Sequence, residues 1–524
     1  MTEARHFRVA IVGAGFGGLG MAIRLKQSGS DDFVVFERDD DVGGTWWANT
    51  YPGCQCDIPS HLYSYSFALN SEWTRTYPLQ PEIREYLRDC AVRFGVRDRI
   101  RFNCAVARAE WDEDAGVWQL ETADGPFTAQ VLIGAPGPLS EPSIPVLPGM
   151  DAFQGVTFHT ARWNHSHDLT GRRVAIVGTG ASAIQTVPRI QPEVEHLTIF
   201  QRTAPWVVPH RDRPITEFER RLYRRFPAAQ RAVRTTVYLS RELLVPGLVY
   251  RPQLMNTVQK MAEGHLVKQV PDETLRAKLT PNYVIGCKRI LPSNKWYPAI
   301  TQPNVEVVTS GVTSFTPRGV AAADGTTHDV DTVIFATGFH VTDTAFAEVV
   351  RGRGGVPLSD VWNGSPQAYR GAAMPDFPNL FLLVGPNTGL GHNSIVFMIE
   401  AQLNYLMGAL EAMERSGATR IEVRRDANDA YNDHMQARLQ QTVWNTGGCA
   451  SWYIDRNGRN STIWPDFTWR FWQQTRRFDE SAYMLTAVSG RGAGNSAPTG
   501  GNSAPRGIVS TPRLEPNSLR EIRR

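Results

Sequence analysis

The sequence has little net charge, few cysteines and no long apolar run. Its 55 Lys and Arg against 52 Asp and Glu leave a formal charge of only +3, too small a surplus to argue for a nucleic-acid partner. Six cysteines in 524 residues (Cys54, Cys56, Cys90, Cys104, Cys287 and Cys449) are sparse and scattered, as in a reducing compartment. Only Cys54 and Cys56 are close neighbours, and a single C-x-C is a weak metal or redox pattern, so packing roles and no metal site are expected. No uncharged apolar stretch reaches the ~18–20 residues needed to cross a membrane. The nearest, TTVYLSRELLVPGLVY, is broken by Arg241, Glu242 and Pro246. The opening MTEARHFRVAIVGAG runs from a polar lead straight into a short strand with no cleavage site, which is not a secretory signal. Together these absences predict a cytoplasmic protein with no stable membrane association.

What is present is a large globular composition, 42% hydrophobic and 20% charged, with 45 Gly and 34 Pro. A chain of this length exceeds what one core supports, so two or three domains are expected. From Arg8 the order is strand (VAIVG), glycine-rich turn, helix (GLGMAIRLKQSG) and strand (DFVVFER), and the same order returns from Arg173 as RVAIVGTGASAIQTVPRIQ and HLTIFQRTA. Between about 210 and 280 lies a charge-rich helical stretch. There Phe218, Leu222 and Phe226 recur at four-residue spacing among Arg220, Arg221, Arg224 and Arg225, which predicts a helix with a solvated basic face, a membrane-surface helix being the alternative. Strands are expected again at VEVVTSG, DTVIFATGF and NLFLLVGP, and a helix at IVFMIEAQLNYLMGALEAMERSG. Past Val488 the chain turns to Gly, Ser, Pro, Asn and Arg, with GNSAP twice, and is expected to be disordered.

Gly13, Gly15 and Gly18 follow a strand, open a helix, and are succeeded by an acid, Glu37, at the end of the next strand. That context makes the G-x-G-x-x-G a dinucleotide turn, with Glu37 for the ribose hydroxyls of FAD or NAD. The second turn, Gly178, Gly180 and Ala183, leads instead to Gln201, Arg202 and Thr203. A carboxylate there would repel a 2′-phosphate that an arginine grips, so the second site suits NADP. Two different dinucleotides on one chain suggest a flavoprotein reduced by NADPH.

Between the turns runs FQGVTFHTARW, which spaces Phe153, Gly155, His159 and Trp163 as F-x-G-x-x-x-H-x-x-x-W, and GGTWWANTYPGCQCD supplies Gly43, Gly44, Trp46, Tyr51, Pro52, Gly53 and Asp57. In both patterns, over roughly residues 6–485, the chain resembles the Baeyer-Villiger monooxygenases. The resemblance implies an NADPH- and O2-dependent conversion of ketones to esters or lactones, in which a peroxide formed on the flavin stays anionic beside a cationic arginine. By that similarity the arginine is Arg289, Asp57 pairs with it, and His159 serves turnover from the hinge rather than as a general base. Gly155 would give the hinge strand freedom to move. Gly44, Thr45, Trp46, Trp47 and Tyr63 would line the flavin. Gly178, Thr179, Gly180, Ala181, Ser182, Ala183 and Gln185 would surround the NADP pyrophosphate. Arg202 and Lys288 would share the 2′-phosphate, Thr203 would join the NADP contacts, and Trp444 would reach the nicotinamide ribose.

The fold implied is α/β, with two Rossmann-like dinucleotide-binding domains and a helical insertion. An FAD domain would span 1–150 and resume at 341–487, an NADP domain would span 151–209 and 286–340, and the insertion would span 210–285, leaving a tail at 488–524. An N- or S-hydroxylating flavin monooxygenase is the nearest alternative. A disulfide reductase is disfavoured because Cys54 and Cys56 lack its cysteine spacing, and a nucleotide sensor because it would not need Asp57 and Arg289. The particular ketone and the oligomeric state are not encoded legibly.

Overall fold

The expected glycine turns both form, each at the C-terminal end of a strand flanked by parallel neighbours. The computed structural model describes residues 4–139 and 141–487; the disorder expected past Val488 lies outside them. The first sheet is built from β1 (Arg5–Val12), β2 (Phe33–Phe36), β3 (Ile100–Arg101), β4 (Val106–Asp112), β5 (Val117–Thr122) and β6 (Gly125–Gly134). The second contains β7 (Val156–His159), β8 (Arg173–Val177), β9 (His196–Phe200), β10 (Val305–Val308) and β11 (Thr332–Phe335). Two later strands, β12 (Val350–Arg351) and β13 (Leu380–Leu382), return to the first sheet.

The order of the first sheet is β12-β4-β5-β6-β1-β2-β3, with β13 also pairing β6; that of the second is β10-β9-β8-β11-β7. Every pairing in the second sheet is parallel. In the first, β1 runs parallel to β2 and β6, while β5 pairs antiparallel to β4 and β6. Parallel strands covered on both faces need continuous apolar runs. Accordingly Val9, Ala10 and Ile11 in β1, and Val174, Ala175 and Ile176 in β8, are buried without alternation.

Helix α1 (Phe16–Gln27) follows the first turn and α2 (Ala181–Ile190) the second. The insertion supplies α3 (Glu217–Arg225) and α4 (Pro227–Glu242), and the long α5 (Ile395–Ser416) packs against α1. Helix α5 starts where the Ser394 hydroxyl accepts from the Val396 amide (3.2 Å) and stops at Gly417, whose φ of +64° few other residues adopt.

The apolar stripe read in α3 packs only through Leu222, which is partly buried against the core. Tyr223 is the buried residue, whereas Phe218 and Phe226 are 74% and 56% exposed. A capping box between Thr216 and Glu219 fixes the helix start, and the Arg213–Glu219 pair locks its rotation (2.7 Å). The orientation is therefore set at the cap rather than by the phenylalanines.

The cysteines also depart from the expectation of scattered thiols. Cys287 and Cys449, 162 residues apart, form a disulfide. Cys54, Cys56, Cys90 and Cys104 are free and buried. Burial pushes the Cys54 thiol up to about 12 and also raises that of Cys56, which removes thiolate character from that pair.

Candidate active site

At the first turn, Gly13 has a φ of +100°, and a Cβ there would lie 2.5 Å from the Ala135 carbonyl oxygen; at Gly18 it would lie 1.8 Å from that of Gly13. The segment after β2 folds back over this turn. The Gly43 amide donates to the Ala14 carbonyl (3.1 Å), and Thr45–Ala48 form a short helix. Trp46 donates its indole N–H to the Tyr63 hydroxyl (3.1 Å), and Trp47 donates to Asp40 (2.7 Å). Glu37 is buried and accepts from the amides of Ala14 (2.6 Å) and Asp39 (3.0 Å). Burial raises its pKa against these two hydrogen bonds. Glu37 thus braces the turn itself, besides standing where a ribose would be met.

The second turn repeats the backbone but faces outward. Gly178 has a φ of +107°, whereas beyond Gly180 nothing lies within 4 Å of a Cβ position. Thr179 donates to the Thr203 carbonyl (3.2 Å), Ala183 packs in the core, and Ala181 and Ser182 reach the surface at the uncapped start of α2. Gln185 ties this helix to the first sheet's side of the molecule. It accepts from the Tyr51 hydroxyl (3.0 Å) and the Gln55 amide (3.2 Å), and donates to the Gln55 carbonyl (2.9 Å). Arg202 is exposed, and Lys288 lies 5.1 Å from the Tyr283 ring centre. Burial first, then Arg202, pushes the Lys288 pKa down. Neither cation has a carboxylate within ion-pair distance among the described residues. Two like charges left together, beside free amides at a helix start, are what an anionic phosphate would hold in place.

Arg289 and Asp57, 232 residues apart in sequence, meet as a two-pronged ion pair. Nε donates to one carboxylate oxygen at 2.5 Å and Nη2 to the other at 2.6 Å, while Nη1 donates to the Leu390 carbonyl at 3.1 Å. A guanidinium has five N–H donors, so two have no partner among the described residues. The side chains are 28% and 21% exposed, which leaves the pair accessible from one side. Burial disfavours the Asp57 charge, but Arg289, followed by Arg241, outweighs it and holds the carboxyl below its ordinary range. Arg289 itself remains firmly protonated, because Asp57 offsets its burial.

The loop carrying Leu390 is clamped from the insertion. Glu242, the last residue of α4, accepts from His392 (3.3 Å), Asn393 (2.6 Å) and both the amide (2.9 Å) and hydroxyl (2.8 Å) of Thr468. On the other flank the Cys287–Cys449 disulfide, together with the Val284 amide donating to the Gly447 carbonyl (2.9 Å), fastens the Lys288–Arg289 stretch to the loop after residue 446. Trp444 is 2% exposed and packs in the core, whereas Trp452 is exposed on that fastened loop. The ring read from the sequence as facing a ribose therefore offers almost no surface for that contact.

His159 ends β7, in register with Phe335 at the edge of the second sheet. Its Nδ1 accepts from the Ala161 amide (3.0 Å), and its Nε2 is buried without a hydrogen bond. Burial pushes its pKa down to about 4, so the ring is neutral near pH 7. Trp163 packs edge-on to Phe158 at 5.1 Å and Phe153 to Phe315 at 5.4 Å. The reading of Gly155 as a source of freedom is corrected: a Cβ there would sit 2.4 Å from the Asp331 carbonyl oxygen, so the glycine permits close contact.

Glu242, His392, Arg241 and the disulfide were not anticipated. No local pattern marks a residue whose partners lie 150 or more positions away.

The profile of the family described as "Pyridine nucleotide-disulphide oxidoreductase" matches residues 10–237. A Baeyer-Villiger monooxygenase of Pseudomonas aeruginosa is 49% identical over 489 residues, covering 93% of each chain. A closed crystal structure of cyclohexanone monooxygenase superposes with a TM-score of 0.81 at 27% identity, over 93% of this chain and all (100%) of that one. The structure titled as OTEMO in complex with FAD and NADP superposes at 0.83 with 25% identity, over 92% and 100%.

Proposed function

The chain belongs to the Baeyer-Villiger monooxygenases, and from that premise we propose how its residues divide the work. The reaction is NADPH- and O2-dependent insertion of one oxygen atom beside a ketone carbonyl, giving an ester or lactone. Residues 1–150 and 341–487 form the FAD domain, 151–209 and 286–340 the NADP domain, and 210–285 the helical insertion between its halves. The site residues fit both cofactors. At the first turn the backbone is stripped of side chains where a pyrophosphate would approach, and Gly44, Thr45, Trp46, Trp47 and Tyr63 wall the flavin. Thr179, Ser182, Arg202, Thr203 and Lys288 hold NADPH, Arg202 and Lys288 taking the 2′-phosphate that Glu37 would repel at the other turn. Trp444 backs the nicotinamide end from the core.

FAD reduced by NADPH supplies the activation of dioxygen. The chain's own contribution is electrostatic and positional. The two unused N–H groups of Arg289 are donors for the negative charge that develops on the substrate oxygen, in a site partly closed to water. Asp57 fixes the plane of the guanidinium and moderates its charge. The Leu390 carbonyl, held in its loop by Glu242, sets the third contact, and His159, neutral and buried, stays out of proton transfer and steadies the strand between the domains. The cytoplasm, with its supply of NADPH, is the compartment this reading assigns to the enzyme.

The observation that carries this reading is the two-pronged Arg289–Asp57 contact with two donors left over. The test is product analysis with NADPH and O2 on a cyclic ketone, an amine and a sulfide. Lactone as the main product is the expected result. N-oxide or sulfoxide with no lactone would replace the reading by a heteroatom oxygenase.

A further inference from the structure

The outward face of α4 is nearly free of charge. Its exposed residues include Ala232, Thr235, Thr236, Leu239 and Leu243, at helical spacing, and Arg231 is the single charged side chain exposed between residues 227 and 244. Leu243 is 78% exposed, and Phe218 and Phe226 stand out at the other end of the insertion. An ordinary solvent-facing helix carries charged and polar residues there, and contiguous exposed apolar surface marks a contact.

This stripe has no freedom to turn inward. On the opposite face Arg234 donates to the carbonyls of His61 (2.9 Å), Leu62 (3.1 Å) and Ser64 (2.9 Å), and Glu242 is held by His392, Asn393 and Thr468. The rim is basic. Arg220, Arg221 and Arg224 converge on one carboxylate, Glu217, with Glu72 also reaching Arg224. Arg225 lies 5.7 Å from the centre of the Phe226 ring with no carboxylate partner among the described residues.

We propose that this face of the helical insertion docks on a lipid bilayer that carries anionic headgroups. The apolar residues enter the headgroup boundary and the arginines meet the phosphates, the arrangement of an interfacial helix rather than a span. No helix among the described residues is long and apolar enough to cross a membrane. A second copy of the chain is disfavoured as the occupant because it brings the same positive rim. The consequence for the reaction is spatial. Helix α4 is one helix diameter, about 10 Å, from outer stripe to the inner face whose Glu242 clamps the active-site loop. Ketones dissolved in the bilayer are thereby delivered beside the site.

The test uses the full chain loaded with FAD, sedimented with vesicles of phosphatidylglycerol and phosphatidylcholine in equal parts and with vesicles of phosphatidylcholine alone. Binding is expected to the first, weaker by about tenfold or more on the second or at high salt. The variant Leu239→Glu/Leu243→Glu, and independently Phe218→Ser/Phe226→Ser, should lose about tenfold in vesicle affinity. Both should keep wild-type flavin content and wild-type turnover of a short water-soluble ketone, yet slow on a long-chain 2-alkanone presented in vesicles. Equal binding by wild type and both variants overturns the proposal, as does absence of binding to the anionic vesicles. Light scattering that shows a wild-type dimer split by Leu239→Glu/Leu243→Glu assigns the face to a second copy and also overturns it.

Discussion

Replacing Asp57 by Asn keeps the shape of the side chain and removes its charge. In the native pair each carboxylate oxygen accepts one N–H of Arg289, at 2.5 and 2.6 Å. The amide retains one acceptor and turns an N–H toward the other guanidinium nitrogen, so one charge-assisted hydrogen bond is lost. Such bonds contribute about 1.5–3 kcal/mol, and the pair is less than a third exposed, so screening removes only part of this. A loss of about 1–2.5 kcal/mol at the arginine corresponds to roughly 5- to 70-fold in rate, at 1.36 kcal/mol per tenfold. The assay is ester or lactone formation by gas chromatography alongside NADPH consumption and hydrogen peroxide release. Asp57→Asn should cut product formation by that factor, divert NADPH oxidation toward peroxide and leave the KM for NADPH unchanged. Arg289→Ala should lower product formation more than Asp57→Asn does, and adding Asp57→Asn to it should cost nothing more, because the aspartate acts through the arginine. Additive losses in the double variant, or full product formation by Asp57→Asn, would refute this account of the centre.

Arg202→Ala should raise the KM for NADPH by about 10- to 100-fold with little effect on NADH, since only the phosphorylated ribose needs the charge-assisted contact; equal effects on both would remove Arg202 from the site. Denatured but unreduced protein should show four titratable thiols. Cys287→Ser/Cys449→Ser should lower stability to chemical denaturation by up to about 5 kcal/mol on the chain-entropy estimate for a loop of 162 residues, whereas six thiols would dispose of the cross-link. His159 and His61, whose pKa values burial lowers from 6.5 to about 4, bind protons more readily when unfolded. Their stabilising contribution is complete above 6.5 and fades as the pH falls toward 4. Each should cost roughly 1.5 kcal/mol between about pH 6.5 and 5, and His159→Gln should flatten its share of that slope in urea unfolding.

The parts legible in the sequence were those written locally. Gly13 and Gly178 announce their turns because a left-handed backbone beside a neighbouring carbonyl admits no other residue, and the contrast of Glu37 with Arg202 follows from charge alone. The apolar runs of β1 and β8 declare strands covered on both faces. What could not be read depends on partners far along the chain. Nothing near Cys287 points to Cys449, and nothing near Glu242 points to His392 or Thr468. The α3 stripe misled because four-residue spacing states only that three side chains share a face, whereas the Thr216 cap and the Arg213–Glu219 pair decide where that face looks. Gly155 misled for a related reason: a glycine in a strand can signal mobility or crowding, and only the position of the Asp331 carbonyl distinguishes them.

The crossing between the two sheets is made twice, and the two passages are stitched together. Glu141 accepts from the His340 amide (3.0 Å), the Ser143 amide donates to the Gly338 carbonyl (2.9 Å), and Pro142 lies opposite Phe339. Since β7 is already sewn into the second sheet, His159 travels with that sheet as cargo. A swing of the second sheet against the first would bend this narrow double ribbon and would also have to break the contacts that Gln185 makes with Tyr51 and Gln55.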